Sequence, residues 1–174
     1  AWRTTRRAAF RASRPSRWRC ADAAGPRSRA ATSRAAPVNL SSFVGLDLGA
    51  AAARIATLSD DGRPRVVVGP DGQQVLPSVV HASGRGPGVV GEQALMLARK
   101  QPLGLHRNFL NNVLDDSDGE HPVALAAVVA RHLVRRVRAA SGDVPREAVI
   151  AVPTMFGDRE RYCLRIAGEL AGLK

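Results

Sequence analysis

The C-terminal segment contains the strongest structural pattern in the chain. Residues 148–152 are apolar and rich in β-branched side chains, which is typical of a buried strand. Pro153 then ends the strand, and residues 158–173 carry apolar side chains at helical spacing. The sequence therefore predicts a strand, a turn and an amphipathic helix, with Asp158 as the residue that caps the helix.

A second apolar strand, residues 43–49, ends in a carboxylate and a glycine. Asp47 and Gly49 occupy positions where a bend can direct backbone N–H groups at phosphate oxygens. A carboxylate beside such a bend can hold magnesium, usually through its water ligands. The same residue pattern also occurs at ordinary corners between a strand and a turn, and both interpretations stay open on this segment alone.

Between these two segments, the pattern alternates between strands, turns and helices. Further strands are predicted at 53–58, 65–68 and 75–80, with turns at Asp61-Gly62 and Asp71-Gly72 and with Pro77 at a sheet edge or strand end. Helices are predicted at 91–100 and from Pro122 to about residue 140. Strands followed by helix, helix, strand and helix predict an α/β or α+β lobe with a late crossover.

The long predicted helix has one apolar face and one basic face. Its apolar side chains recur every fourth residue, at Leu125, Val129, Leu133 and Val137. Its arginines at positions 131, 135 and 138 fall elsewhere on the helix and are expected to face solvent. With aromatic residues at only 4%, the core has to be built from valine, leucine, isoleucine and alanine.

The net charge of +11 belongs mostly to the N-terminal segment. Residues 1–40 contain ten arginines and one acid, Asp22, whereas residues 41–174 contain 16 basic and 14 acidic residues. We interpret residues 1–40 as a disordered basic leader, a transit peptide for an organelle, with a plastid favoured slightly over a mitochondrion. The alternatives are an arm that binds nucleic acid, which lacks an aromatic platform here, and a segment without a role. Residues 41–174 are then the globular part.

Other residue types exclude several classes of site. Cys20 and Cys163 lie far apart, so we expect two free thiols. No apolar run approaches the roughly 18 residues of a membrane span. The acidic segment 115–120 lacks the spacing of an EF-hand and is expected to be a solvated loop. Histidines 81, 106, 121 and 132 share no metal-ligand spacing.

The segment 44–49 resembles the first phosphate loop of the heat-shock protein 70 (DnaK-type) chaperones. Further matches follow in the family's order, at residues 62–66, 76–80, 90–92, 152–153, 156, 158, 161 and 167–173. The resemblance covers about residues 42–174 and implies the first lobe of an actin-like, ribonuclease-H-like ATPase fold. It also implies ATP or ADP with magnesium as cofactor, and unfolded client proteins and co-chaperones as partners of the intact parent.

The resemblance assigns roles to individual residues. It implies that Asp47 holds magnesium through water and that Gly49, Ala50, Ala51 and Ala52 bind the nucleotide phosphates.

The same resemblance places Pro153 and Arg161 at the family's proline switch and at the arginine that relays nucleotide state toward the substrate-binding part. By residue type alone, Pro153 could simply end a strand and Arg161 could simply solvate a helix. Both interpretations stay open.

Departures from the family pattern bear on activity. Ala50 and Ala51 stand where the family has two threonines, so the amides remain and the hydroxyls are lost. Leu95 stands where the family has its catalytic lysine, and losing such a group usually costs orders of magnitude in rate. The segment from Leu114 to His121 is shorter than its family counterpart.

The resemblance places the second phosphate loop and the other lobe beyond Lys174, and the chain begins at Ala1, so we expect a fragment or a processed product. We expect an ATP-binding fragment of a chaperone with little or no hydrolysis of its own. The alternative is a non-catalytic binding, scaffold or nucleotide-exchange protein. A lone lobe would also expose an apolar face, and we expect such a chain to aggregate or to need a partner.

Overall fold

The computed structural model describes residues 42–82, 88–115 and 121–174, which form a mixed α/β structure. The basic leader and most of the acidic segment 115–120 lie outside the described residues. The strands are β1 (Phe43–Leu48), β2 (Ala52–Leu58), β3 (Pro64–Val66), β4 (Leu76–Pro77), β5 (Val79–His81), β6 (Val89–Val90), β7 (Leu105–Arg107) and β8 (Glu147–Ala151). The helices are α1 (Gly91–Ala98), α2 (Pro122–Ser141) and α3 (Asp158–Leu170).

The larger sheet brings the two most informative sequence segments side by side. Its strand order is β3-β2-β1-β8, and β4 also pairs with β2. β1 and β2 form an antiparallel hairpin, whereas β1 and β8 are parallel, with Leu46 opposite Ile150. The chain between β1 and β8 includes the helices α1 and α2, as a parallel pair requires a long crossover.

Within the described residues, helices cover one face of this sheet, and the residues on the other face are largely exposed. Val44, Leu46 and Leu48 alternate along β1 with exposed residues, which is the two-residue period of a half-buried strand. The buried residues meet the apolar face of α2, on which Leu125, Val129, Leu133 and Val137 are at most 3% exposed. The predicted core face of this helix is therefore confirmed.

The ends of α2 follow from its sequence. Pro122 is the first helical residue, where its missing N–H costs nothing. The His121 ring nitrogen Nδ1 accepts a hydrogen bond from the Val123 amide at 3.2 Å. Gly142 ends the helix in the left-handed conformation, with φ +80°.

The predicted cap of α3 is wrong by one residue. Gly157 has the extended backbone of the N-cap position, and Asp158 is already helical, with no side-chain capping bond. Asp158 and Glu160 instead place negative charge in the first turn, where it interacts favourably with the helix dipole.

The predicted strand at 75–80 is two strands in different sheets. Leu76 and Pro77 pair with Ala53 and Ala52 of β2, whereas β5 belongs to a three-stranded sheet ordered β6-β5-β7. The break occurs at Pro77 because proline has no N–H to continue a ladder. The sequence did not predict β6 and β7, which are too short to show a period of their own.

The open face of the larger sheet is apolar along much of its length. A shallow depression there is lined by Phe43, Gly45, Ala56, Leu58, Pro64 and Val149. Val149 of the edge strand β8 is 72% exposed on this side of the sheet, and we call this side the open face. Separately, no helix in the described part of the chain is both long and apolar enough to cross a membrane.

We expect Val149→Lys to reduce self-association of the chain, because it places a charge beside the apolar depression of the open face. The aggregated fraction measured by light scattering at fixed concentration should fall at least about twofold. The matched control is Leu103→Lys, at a loop residue that is 88% exposed outside this face. An equal improvement in both variants would mean that added charge acts generally and that the open face is not the cause.

Candidate functional site

The turn between β1 and β2 is the centre of the candidate site. The Gly49 amide donates to the Ala52 carbonyl oxygen at 3.0 Å, and Leu48 pairs with Ala53 just below it. A Cβ atom on Gly49 would lie 2.7 Å from that carbonyl oxygen, so this tight closure requires glycine. The turn leaves Ala50 and Ala51 at its tip, and we call residues 49–52 the phosphate turn, after the function predicted for them.

The amides at the tip of the phosphate turn are available to a ligand. Within the described residues, the backbone N–H groups of Ala50 and Ala51 donate no backbone hydrogen bond. Ala51 is exposed, and its carbonyl oxygen accepts from the Ser78 amide at 3.0 Å, which ties the turn to the segment joining β4 and β5. An anion at this tip could therefore be bound by free amides on an anchored turn.

Asp47 lies on the open face, two residues before the phosphate turn. Its direct cross-strand partner is Arg54, and the Arg54 guanidinium donates to the Asp47 carboxylate at 3.1 Å. The Arg54 side chain is 45% exposed and the Asp47 side chain is 51% exposed. The carboxylate that the sequence assigned to magnesium is thus paired with an arginine of the same hairpin.

Residues 47–54, which include the phosphate turn, offer a metal ion the single carboxylate of Asp47. Among the residues described, no group of three or more histidine, cysteine, aspartate or glutamate side chains could hold a metal. Asp47 alone suits a contact to the water shell of a magnesium ion that a nucleotide brings with it. Such a contact has to compete with Arg54.

Helix α1 lies next to the phosphate turn through β4. The N-terminal Gly91 packs against Leu76 and Pro77, whose partners in β2 are Ala53 and Ala52. Leu95 is on this helix and is half-buried. The position that the resemblance assigns to a catalytic lysine therefore carries an apolar side chain in the structure, with no charge to direct at a phosphate.

The structure links Pro153 and Arg161 through a single turn. The Pro153 carbonyl oxygen accepts from the Phe156 amide at 3.0 Å, and the Phe156 carbonyl oxygen accepts from Arg161 Nε at 3.0 Å. Phe156 is itself buried, at 9% exposure, so this turn is anchored in the core. Two hydrogen bonds thus connect the Pro153 backbone to the Arg161 side chain by way of Phe156.

The sequence did not predict the contacts of Arg54, Arg136 and Arg131, the last of which donates to the Leu170 carbonyl oxygen at 2.8 Å. Arg54 alternates with apolar residues in β2, and the alternation could have placed it on the face of Asp47 if the register of the hairpin had been known. Arg136 of α2 is 5% exposed, and its guanidinium lies 3.5 Å from the Asp71 carboxylate and 3.3 Å from the Gln73 carbonyl oxygen. Arg136 therefore holds the turn that precedes β4. Helical spacing could have identified it, because it lies three residues after Leu133 and seven after Val129, on the apolar face of α2.

The described histidines lie outside the phosphate turn, and none of them belongs to a group of described side chains that could hold a metal ion. Partial burial, together with the positive charges of Arg136 and Arg135, lowers the pKa of His132, and Asp71 opposes this only weakly. His132 is therefore mostly neutral at pH 7. His81 is buried at 2% exposure, and its Nε2 atom lies 2.7 Å from the Gln101 carbonyl oxygen, a structural contact in the smaller sheet.

Comparison with protein-family models gives a match to the family described as Hsp70 protein, over residues 106–174. The match contains α2, β8 and α3, and thus the turn that links Pro153 to Arg161. The phosphate turn lies before its first residue.

Proposed function

Because the chain belongs to the Hsp70 family, we propose that residues 41–174 form a nucleotide-binding lobe of a chaperone of this type, which binds ATP or ADP at the phosphate turn. Membership of this family supports a chaperone-type function in general. Proteins of this family also bind nucleotide together with magnesium. Our proposal adds that nucleotide binds to this chain at the phosphate turn.

The observation that carries the proposal is the geometry of the β1–β2 hairpin. The Gly49 amide closes the turn tightly, while the amides of Ala50 and Ala51 remain without a backbone acceptor in the described part of the chain. Free N–H groups in a tight turn form an anion-binding concavity. In this proposal Ala52 completes the turn, and Asp47 faces the water shell of the magnesium carried by the nucleotide.

We assign little or no hydrolysis to this chain. Neither hydroxyl of the family's two threonines is present at Ala50 and Ala51, and Leu95 offers no charge or proton to the reaction. Binding through amides needs none of these groups, whereas stabilising a transition state does. The expected activity is retention of nucleotide without turnover.

We assign residues 41–174 to the first lobe of an actin-like fold, with unfolded clients and co-chaperones as partners of the intact parent. Residues 1–40 serve as an organellar transit peptide, with a plastid favoured over a mitochondrion, because arginine-rich and acid-poor composition is typical of such segments. Pro153 and Arg161 are assigned to the relay of nucleotide state through the Phe156 turn.

A second candidate function is a non-catalytic scaffold or nucleotide-exchange protein. The Asp47–Arg54 ion pair favours it, because the carboxylate has a partner inside the chain and needs none from a ligand. In that case the lobe would keep its fold and its helical surfaces while nucleotide binding would be absent.

Titration of the 174-residue chain with ATP, ADP and adenosine by calorimetry tests the proposal, in the presence of magnesium. We expect saturable binding of ATP and ADP, weaker binding of adenosine by at least about tenfold, and no phosphate release above background over hours. The absence of a binding signal with all three ligands would refute nucleotide binding and favour the second candidate function, a scaffold or nucleotide-exchange protein. Steady hydrolysis at the rate of an active family member assayed in parallel would show that the assignment of no turnover is wrong.

A further inference from the structure

Arg54 occupies the position from which a cation would serve both Asp47 and a bound phosphate. Asp47 and Arg54 face each other across the hairpin, and only two further residue pairs separate them from the tip of the phosphate turn. The tip residue Ala51 is three residues from Arg54, so at about 3.3 Å per residue the distance along the strand is about 10 Å. An extended arginine side chain covers most of this distance, and a hydrogen bond of about 2.9 Å from the guanidinium covers the rest, so the guanidinium can reach an anion at the turn amides.

The charges around the phosphate turn explain why such a residue matters. Without Arg54, the Asp47 carboxylate would repel the phosphates of a metal-free nucleotide, and a magnesium ion would be needed to offset both charges. With Arg54 in place the pair is neutral, and the guanidinium retains donors that the single contact to Asp47 does not use. Arginine also forms strong paired hydrogen bonds to phosphate oxygens.

The ion pair is exposed enough to rearrange. Both side chains are about half exposed, and ion pairs of this kind contribute little to the stability of a protein. Turning the guanidinium from the carboxylate toward a more highly charged phosphate therefore loses little. A magnesium ion approaching Asp47, by contrast, has to compete with a cation that is covalently part of the hairpin and always nearby.

We propose that Arg54 supplies from within the chain the positive charge that Asp47 would otherwise take from magnesium, so that nucleotide phosphates bind at the phosphate turn with little dependence on the metal. This inference rests on the proposed function, since it concerns the same turn. It makes Arg54 a specificity-determining residue that relaxes the metal requirement, and it makes the magnesium contact of Asp47 dispensable.

The test compares the dissociation constant of ATP with magnesium and with a chelator, by calorimetry on the 174-residue chain. For the unaltered chain, we expect the two constants to agree within about threefold. For Arg54→Gln, binding of metal-free ATP should weaken at least about tenfold, while binding with magnesium changes less. Arg54→Lys keeps the charge and should keep most of the metal-free binding.

Arg107→Gln is the matched control, because Arg107 is an exposed arginine in the smaller sheet and its loss changes the net charge equally. It should leave both constants unchanged. If the unaltered chain binds ATP only with magnesium, or if Arg54→Gln behaves like the control, the inference is overturned while nucleotide binding stands. If the unaltered chain binds no nucleotide in either condition, the proposed function itself fails. Circular dichroism of each variant verifies that the fold is retained.

Discussion

Replacing Leu133 with alanine should lower the free energy of unfolding by about 3 kcal/mol. Leu133 is 0% exposed at the centre of α2, among the side chains that cover the larger sheet. The substitution removes buried methyl groups and leaves a cavity that the surrounding core only partly fills, and both effects destabilise the folded state. The measurement is urea unfolding followed by far-ultraviolet circular dichroism.

The same chemical change at an exposed leucine provides the control. Leu103 is 88% exposed in the loop between α1 and β7, so Leu103→Ala should change the free energy of unfolding by no more than about 0.5 kcal/mol. A loss below about 1 kcal/mol for Leu133→Ala would contradict the packing of α2 on the sheet. A non-cooperative transition in the unaltered chain would instead show that the described core does not form a two-state unit.

Replacing Gly49 with alanine should open the phosphate turn and abolish nucleotide binding together with part of the stability. The added Cβ atom would lie 2.7 Å from the Ala52 carbonyl oxygen, which is backbone and cannot move aside alone. The hydrogen bond from the Gly49 amide to that oxygen has to lengthen, which should reduce stability by about 1–3 kcal/mol. Because the free amides move with it, ATP affinity measured by calorimetry should fall at least about tenfold.

Gly45→Ala is the corresponding control in the same strand. A Cβ atom on Gly45 would meet nothing within 4 Å, so this variant should be neutral or slightly stabilising. If Gly49→Ala bound ATP as tightly as Gly45→Ala, the phosphate turn would not be the binding site. If both variants lost stability equally, the close approach to Ala52 would not be the cause.

Most elements of the fold could be predicted because their signals are local. The alternation around Leu46 and the four-residue period through Leu133 identify a strand and a helix within a few residues of their observed ends. Gly62 and Gly72 adopt the positive φ that their turns need, and Gly142 ends α2 in the same way. Such preferences act between neighbours in the chain and require no knowledge of the tertiary structure.

The strand predicted at 75–80 and the strands β6 and β7 were not placed correctly from the sequence, because they depend on contacts between distant parts of the chain. The chain crosses from one sheet to the other after Pro77, and the two halves of the predicted strand pair with partners that lie far away in sequence. β6 and β7 contain only two and three residues, so their assignment depends entirely on pairing with β5. Strand pairing of this kind is a non-local property that hydrophobic period cannot reveal.

For the candidate site, the sequence by itself determined the residue types: a carboxylate and a glycine at the end of β1, alanines at the turn and leucine at position 95. It also determined that α2 would bury one face, since helical period decides which side chains share a face. Only the tertiary structure decided that Asp47 meets Arg54 and that Arg136 is buried beside Asp71. Ion pairs depend on the distance between the charged groups in space, and spacing along the chain does not specify that distance. The register of the hairpin sets it for Asp47 and Arg54, and the docking of α2 sets it for Arg136 and Asp71.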